Sequence, residues 1–99
     1  MCDDSSMLME CWTEEFPITF DGLVVEAFSR GGDRWHVAQL VEMRLEDGRK
    51  GVKVLRIMAG SYGGVLGGVV PERNWPLFAA MVAEVNRVRH ERYGLASVG

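Results

Sequence analysis

Residues 74–94 read NWPLFAAMVAEVNRVRHERYG, and this stretch predicts one amphipathic helix on which the fold depends. Apolar side chains recur along it at the spacing of a single helical face: Leu77, Phe78, Met81, Val82, Val85 and Val88. Charged side chains fall largely on the opposite side: Glu84, Arg87, Arg89, His90, Glu91 and Arg92. Because such a helix is stable mainly through the packing of its apolar face, the preceding chain must provide a surface for it.

The ends of this helix are marked by residues with known terminal preferences. Asn74 is expected to act as the N-cap, with its side chain accepting a free backbone N–H of the first turn. Pro76 falls in the first turn, where a missing backbone N–H costs no intrahelical hydrogen bond. Gly94 can adopt the left-handed conformation that ends many helices. The helix should therefore run over residues 75–93.

The chain before the helix predicts β-strands separated by tight turns. Residues 18–20 and 23–28 are rich in β-forming side chains and flank Asp21-Gly22, a dipeptide typical of two-residue hairpin turns. A glycine-rich turn near residue 32 follows, and residues 35–37 resume as a strand.

The middle of the chain predicts a bent strand and two further strands. Residues 38–40 interrupt the alternation of apolar and polar side chains, which indicates a bend or a β-bulge. Val41, Met43 and Leu45 should then point to one side of the strand, with charged residues on the other side. Residues 52–59 and 65–70 predict the remaining strands.

The predicted core combines the inner face of this sheet with the apolar face of the helix. Its sheet members are Phe20, Val25, Phe28, Trp35, Val37, Leu40, Met43, Leu45, Val54, Ile57, Leu66 and Val69, and its helix members are Leu77, Phe78, Met81, Val85 and Val88. We expect an α+β, mainly β fold: an antiparallel meander or open barrel of about five to six strands, capped by one C-terminal amphipathic helix. The expected domain covers residues 16–99, with residues 1–15 as an acidic N-terminal tail or an added strand.

One run of residues resembles the short pleckstrin-homology-like (PH-like) domains of bacteria. It comprises Phe20-Asp21-Gly22, a strand, a glycine-rich turn, and Trp35-His36-Val37-Ala38-Gln39-Leu40 leading into residues 41–45. Those domains similarly carry an F-D-G turn, an apolar-x-x-A-Q-I/L step and one amphipathic helix that plugs an open barrel. The resemblance covers about residues 16–93 and implies a binding or scaffolding role without catalytic residues.

Composition and charge favour some classes of function over others. The formal net charge is −3, but residues 1–15 hold five acids and no base, which leaves nine acids and eleven bases in the remainder. So balanced a body is not typical of a nucleic-acid-binding protein. Cys2 and Cys11 are expected to be free thiols in a reducing cytoplasm. With two histidines and no closely spaced ligand pair, the sequence predicts no metal and no cofactor.

The candidate binding residues are five bases in a predicted hairpin: Arg44, Arg49, Lys50, Lys53 and Arg56. If Arg44 lies opposite Lys53, the hairpin presents a basic patch that can hold a phosphate or an acidic peptide. The alternative is an ordinary solvated hairpin, because acidic residues are interspersed among these bases.

Three weaker candidates lie elsewhere in the sequence. Residues 60–68 are rich in glycine, which favours a tight turn and a bent strand, or else a bare backbone that a partner strand can approach. His36 can act as a catalytic base only if Ser61 and Tyr62 fold against it. Trp12 would be an interface anchor if it is exposed.

These features predict a small non-catalytic binding or scaffolding module that engages a protein or peptide partner, as a homo-oligomer. Edge strands favour self-association, and the segment over residues 7–12 is a candidate for an exchanged strand. The alternative is binding to anionic lipid or a membrane surface through the basic hairpin. An enzyme with a site near His36 and the glycine-rich loop is the third class.

Overall fold

The computed structural model describes residues 8–29, 32–59 and 64–98, with only the backbone described for residues 64–66. Over these residues the chain forms seven strands and one α-helix: β1 (Met9–Trp12), β2 (Pro17–Phe20), β3 (Val24–Ala27), β4 (Asp33–His36), β5 (Leu40–Asp47), β6 (Lys53–Ala59), β7 (Gly64–Val70) and α1 (Trp75–Tyr93). β1–β4 form one antiparallel sheet in chain order, and β5–β7 form a second. The α+β, mainly β class is confirmed, and no strand pairing in the described ranges closes the sheets into a barrel.

The described chain has more strands than the five to six predicted, for two reasons. The added-strand alternative is correct for β1, which pairs with β2 from Met9↔Phe20 to Trp12↔Pro17 and belongs to the domain. The strand expected from residue 35 onward is also divided, because a 3-10 turn over Val37–Gln39 carries the chain from the first sheet to the second. Residues 1–7 of the predicted tail lie outside the described residues.

The β2–β3 hairpin forms as predicted, but its turn is not the two-residue Asp21-Gly22 turn, because Phe20 pairs with Val25 and not with Leu23. The Asp21 carboxylate accepts hydrogen bonds from the backbone N–H of Leu23 at 2.9 Å and of Val24 at 2.8 Å. Gly22 has a φ of +104°, a conformation that favours glycine. The prediction of this hairpin is confirmed.

The bend at residues 38–40 is also confirmed, and side-chain hydrogen bonds stabilise it. His36 Nδ1 accepts from Ala38 N at 3.0 Å, and Gln39 Oε1 accepts from His36 N at 3.0 Å. The register then shifts between Leu40 and Glu42, so Val41 is an extra residue and is 56% exposed. The prediction that Val41 points with Met43 is therefore wrong, because the bulge reverses its side.

The two sheets meet where the β1–β2 turn crosses β7. Thr13 Oγ1 donates to Phe16 O at 2.8 Å and so fixes the turn, while Glu14 N donates to Val69 O at 2.8 Å on β7. A Cβ atom on Gly68 would lie 3.1 Å from Thr13 Cγ2, which is too close for an ordinary contact. Glycine at this position therefore lets the turn approach the strand.

The core lies between the sheets and α1, largely as predicted. Its largest fully buried side chains are Phe20, Phe78, Ile18, Met43, Leu55, Ile57, Met81, Val25, Val37, Val70 and Val85. Phe28, Val69 and Leu77 were expected in the core but are 49%, 38% and 51% exposed, and Val54, also expected there, is half-buried on the side of β6 away from Leu55. Phe28 lies outside because its neighbour Ala27 faces inward. Ile18, Leu55 and Val70 are core residues that were not predicted from the sequence. The side chain of Leu66 lies outside the described residues.

Two predictions about the ends of α1 are confirmed, and two about its polar side chains are wrong. Pro76 lies in the first turn, and Gly94 ends the helix with a left-handed φ of +63°. Asn74 holds the N-cap position, but its side chain makes no capping bond and donates from Nδ2 to Trp12 O at 2.9 Å. Arg89, expected on the charged face, is buried at 6% exposure.

Candidate binding surfaces

The register of the β5–β6 hairpin places the five predicted binding residues differently from the expectation. Arg44 lies opposite Arg56, and Lys53 lies opposite Asp47. The condition for the basic patch, Arg44 opposite Lys53, is therefore not met. Two arginines directly across a strand pair would repel one another unless acids separate them.

Glutamates on the same strand separate these two arginines. Arg44 contacts Glu42 at 3.0 Å and Glu46 at 3.1 Å, and Arg56 contacts Glu46 at 3.1 Å and Glu42 at 3.9 Å. The four side chains form a charge-balanced network on the outer face of the second sheet. This arrangement matches the solvated-hairpin alternative for Arg44 and Arg56, since each base already has acidic partners.

Lys53 is also occupied. Its Nζ lies 2.6 Å from Asp47 Oδ1 and 5.1 Å from the centroid of the Trp75 ring. Trp75 in turn donates from Nε1 to Val70 O at 3.0 Å. Lys53 therefore joins the hairpin to the start of α1.

Arg49 and Lys50 are the two predicted binding residues whose charges remain open to solvent. Both are exposed at the tip of the hairpin, in a short turn where Lys50 has a φ of +56°. The ion pairs found among the described residues involve neither of them. The basic surface of the hairpin is thus reduced from five side chains to two.

A groove follows the outer edge of β7, and we call it the edge groove. It has a volume of about 270 Å³ and is lined by Glu14, Glu15, Val54, Gly67, Gly68 and Val69. Val69 O points away from β6, because it accepts a hydrogen bond from Glu14 N. Backbone groups in an antiparallel strand alternate in direction, so the N–H and C=O of Gly67 face the same open side.

The edge groove combines the outward backbone groups of Gly67, which have no hydrogen-bond partner among the described residues, with acidic side chains. Within the described residues, β7 is an edge strand that pairs only with β6. Gly67 has no side chain to cover this edge, and both Glu14 and Glu15 are exposed beside it. The sequence reading identified Gly67 and Gly68 as bare backbone but did not bring the two glutamates to them.

A second surface is a line of apolar side chains across the outer face of the first sheet, which we call the apolar row: Trp12, Pro17 and Phe28. Trp12 pairs with Pro17 across β1 and β2, and Phe28 N donates to Pro17 O at 3.0 Å from the end of β3. Trp12 and Phe28 are 51% and 49% exposed. Trp12 is therefore exposed, as the hypothesis of an interface anchor requires. The exposure of Phe28 was not predicted.

His36 has a structural role that uses both ring nitrogens. Nδ1 accepts from the backbone of Ala38, so in the neutral ring the proton lies on Nε2, which is 3.2 Å from Tyr93 Oη. The two rings also meet edge to face, with centroids 5.3 Å apart. Ser61 and Tyr62, which the catalytic reading needs, lie outside the described residues.

Comparison with protein-family models, curated proteins and solved structures finds no match to this chain. In the part of the chain that the structure describes, no helix combines the length and the apolar character needed to cross a bilayer. The same residues contain no group of three or more potential metal ligands.

Proposed function

We propose that this chain is a small non-catalytic binding module that takes up an extended segment of a protein partner along the edge groove. The observation that carries the proposal is the open backbone of Gly67 beside Glu14 and Glu15. An added strand would form main-chain hydrogen bonds with β7, in the mode known as β-augmentation. The two carboxylates would select a segment with basic side chains.

Two further features support this assignment. Edge strands are normally covered by another chain segment or protected by charged side chains of their own, and Gly67 is exposed and has no side chain. The order of elements, antiparallel strands followed by one packed helix, is what the PH-like resemblance implies, and we infer a PH-like binding domain on that basis. A cytoplasmic location remains a prediction from the expected free thiols.

The proposal is tested with a synthetic peptide of alternating Val and Lys, titrated into isotopically labelled protein and followed by NMR. We expect the largest amide shifts at Gly67 and its neighbours on β7. Gly67→Pro should weaken binding by about tenfold or more, because it removes the outward N–H while leaving the hydrogen bonds to β6 intact. Gly67→Ala, which keeps the N–H, is the matched control and should bind nearly as well as the parent protein.

A second pair of variants covers the case in which Gly67→Pro does not fold. Glu14→Lys with Glu15→Lys should abolish selection of the Val-Lys peptide over a Val-Glu peptide. Asp33→Lys with Glu72→Lys changes the net charge equally, at exposed positions that do not line the groove. Shifts that fall on another surface, or equal loss in both double variants, would contradict the proposal.

Anionic-lipid binding is the second candidate, and the open charges of Arg49 and Lys50 favour it. Sedimentation with vesicles rich in phosphatidylserine tests it directly. If this function operates, Arg49→Glu with Lys50→Glu should abolish sedimentation, whereas Arg44→Glu with Arg56→Glu is not expected to have a specific effect. No sedimentation of the parent protein, or no change in the Arg49 and Lys50 variant, rules this candidate out.

A further inference from the structure

The outer face of the first sheet has a regular arrangement of side chains that the edge groove does not use. The apolar row lies at one end of the strands. The neighbouring row, which we call the charged band, lies two residues away along each strand. It contains Glu10 on β1, Thr19 on β2, Glu26 on β3 and Arg34 on β4. The face therefore has the apolar row beside the charged band, and the charged band has an acid at the β1 edge and a base at the β4 edge.

The two ends of the apolar row differ in size, and the two ends of the charged band differ in charge. Trp12 lies at the β1 end of the apolar row, while at the β4 end the residue next to Asp33 is Gly32, which has no side chain. In the charged band Glu10 is exposed at one end, and Arg34 is 72% exposed at the other. The apolar row therefore has a large side chain at its β1 end and glycine at its β4 end, and the charged band has an acid at its β1 end and a base at its β4 end.

We propose that this face binds a second copy of the chain. A two-fold axis parallel to the strands, between β2 and β3, exchanges β1 with β4 and β2 with β3 in the facing sheet. Trp12 of one copy then lies over Gly32 of the other, and Pro17 lies over Phe28. The same operation places Glu10 opposite Arg34 twice, as an isologous interface requires.

The charge pattern favours a second copy over an unrelated partner. The face offers Glu10, Glu26 and Arg34, a mixed set that is neither strongly acidic nor strongly basic. The rotation described above brings complementary side chains together in both the apolar row and the charged band. Arg34 already contacts Glu26 at 3.5 Å, and because its side chain is 72% exposed, its other N–H groups can donate to a second carboxylate.

The size of the face sets the strength of this dimer. Four strands spaced at about 4.8 Å and about four residues of strand give a patch of roughly 19 by 14 Å. Stable interfaces bury about 800 Å² on each partner, which is more than this patch supplies. We therefore expect a reversible dimer that forms in the range of roughly 10⁻⁵ to 10⁻³ M.

Sedimentation equilibrium of the full chain over a concentration series tests the inference. The parent protein should shift from monomer to dimer, and Trp12→Ala should weaken the dimer by about tenfold or more. Leu77→Ala is the matched control, because Leu77 is also 51% exposed but lies on α1. Phe28→Ser serves as a second variant if Trp12→Ala proves unfolded by circular dichroism.

A charge exchange tests the rotation itself. Glu10→Arg and Arg34→Glu should each weaken the dimer, and the two together should restore it, because both symmetric pairs are then re-formed with opposite sign. A parent protein that remains monomeric at about 1 mM overturns the proposal. So does a Leu77→Ala effect equal to that of Trp12→Ala, or a double variant that is no better than the single ones.

Discussion

The guanidinium of Arg89 donates from Nη1 to the backbone oxygen of Val37 at 2.6 Å, joining the last third of α1 to the turn between the two sheets. The same nitrogen donates to Leu40 O at 2.9 Å, and Nε donates to Ala96 O at 2.9 Å. Burial lowers the pKa of Arg89 below its ordinary value. One buried cation therefore connects the helix, the 3-10 turn and the C-terminal segment.

Replacing Arg89 should destabilise the fold far more than replacing a solvated arginine. Arg89→Met leaves the carbonyl groups of Val37, Leu40 and Ala96 without this donor, and we expect a loss of about 3 kcal/mol or more in the free energy of unfolding. Arg92→Met, at an exposed position on the same helix, should change it by less than about 0.5 kcal/mol. Urea denaturation measures both, and equal losses would contradict the structural role of Arg89.

Adjacent glycines on β7 should respond differently to alanine. A Cβ on Gly68 would meet Thr13 Cγ2 at 3.1 Å and Phe16 Cζ at 3.3 Å, whereas a Cβ on Gly67 would have its nearest neighbours at 4.0 Å. We expect Gly68→Ala to cost about 1–3 kcal/mol, because the β1–β2 turn must move. Gly67→Ala should be neutral or slightly stabilising. Thermal unfolding of the two variants tests the packing of this turn, and a reversed order would show that it is packed differently.

Adjacent apolar residues on α1 provide a similar comparison. Phe78 is fully buried, and Phe78→Ala should reduce the free energy of unfolding by about 3–5 kcal/mol. Leu77 is 51% exposed, so Leu77→Ala should cost no more than about 1 kcal/mol. Urea titration distinguishes them, and comparable losses would mean that the helix is rotated relative to the face described here.

The Asp21 turn should make stability depend on pH in the acidic range. Hydrogen bonds from the backbone N–H groups of Val24 and Leu23 hold the pKa of Asp21 below its ordinary value of 3.8. Because the folded-state pKa is the lower one, the carboxylate's stabilising contribution is complete above the unfolded-state pKa. It is lost as pH falls through the folded-state pKa. The stability difference between the parent protein and Asp21→Ala should therefore shrink as pH is lowered below about 4.

A neutral isostere is the control for this pH effect. Asp21→Asn keeps an oxygen that can accept the same hydrogen bonds but has no charge to titrate. Its stability relative to Asp21→Ala should stay constant over the pH range in which the parent protein's advantage declines. If all three proteins change in parallel, the acid dependence arises from other carboxylates.

The Cys11 thiol should be unreactive in the native protein. Cys11 is buried, and burial, with a smaller effect of Glu10, raises the pKa of its thiol to about 11. In a Cys2→Ser background, alkylation by iodoacetamide at about pH 8 should be roughly 100-fold slower in the native protein than in urea. Mass spectrometry measures both rates. Similar rates would mean that β1 opens readily.

Much of the fold was predictable because it rests on local preferences. Asp21-Gly22, Pro76 and Gly94 act through their own backbone conformations, so the hairpin and both ends of the helix could be predicted from their neighbours alone. The interruption at residues 38–40 was visible as a break in alternation. Val41 was assigned to the wrong side, because one bulged residue reverses the pattern and no local signal indicates its exact position.

The candidate sites were less predictable because they combine residues that are distant in the sequence. The five bases of the hairpin were visible, but their pairing with Glu42, Glu46 and Asp47 depends on a strand register that charge alone does not determine. The edge groove brings Glu14 and Glu15 to Gly67 across more than fifty residues of chain. Phe28 and Trp12 are likewise joined only through the pairing of three strands.

The amino-acid sequence by itself determined an antiparallel, mainly β chain closed by one C-terminal helix, because hydrophobic periodicity and turn chemistry act over a few residues. Tertiary structure alone decided where individual polar groups lie. Asn74 bonds to Trp12 instead of capping its own helix, and Arg89 is buried instead of solvated. The physical reason is that a long polar side chain takes whichever partners the folded chain brings within reach, and those partners are distant in sequence.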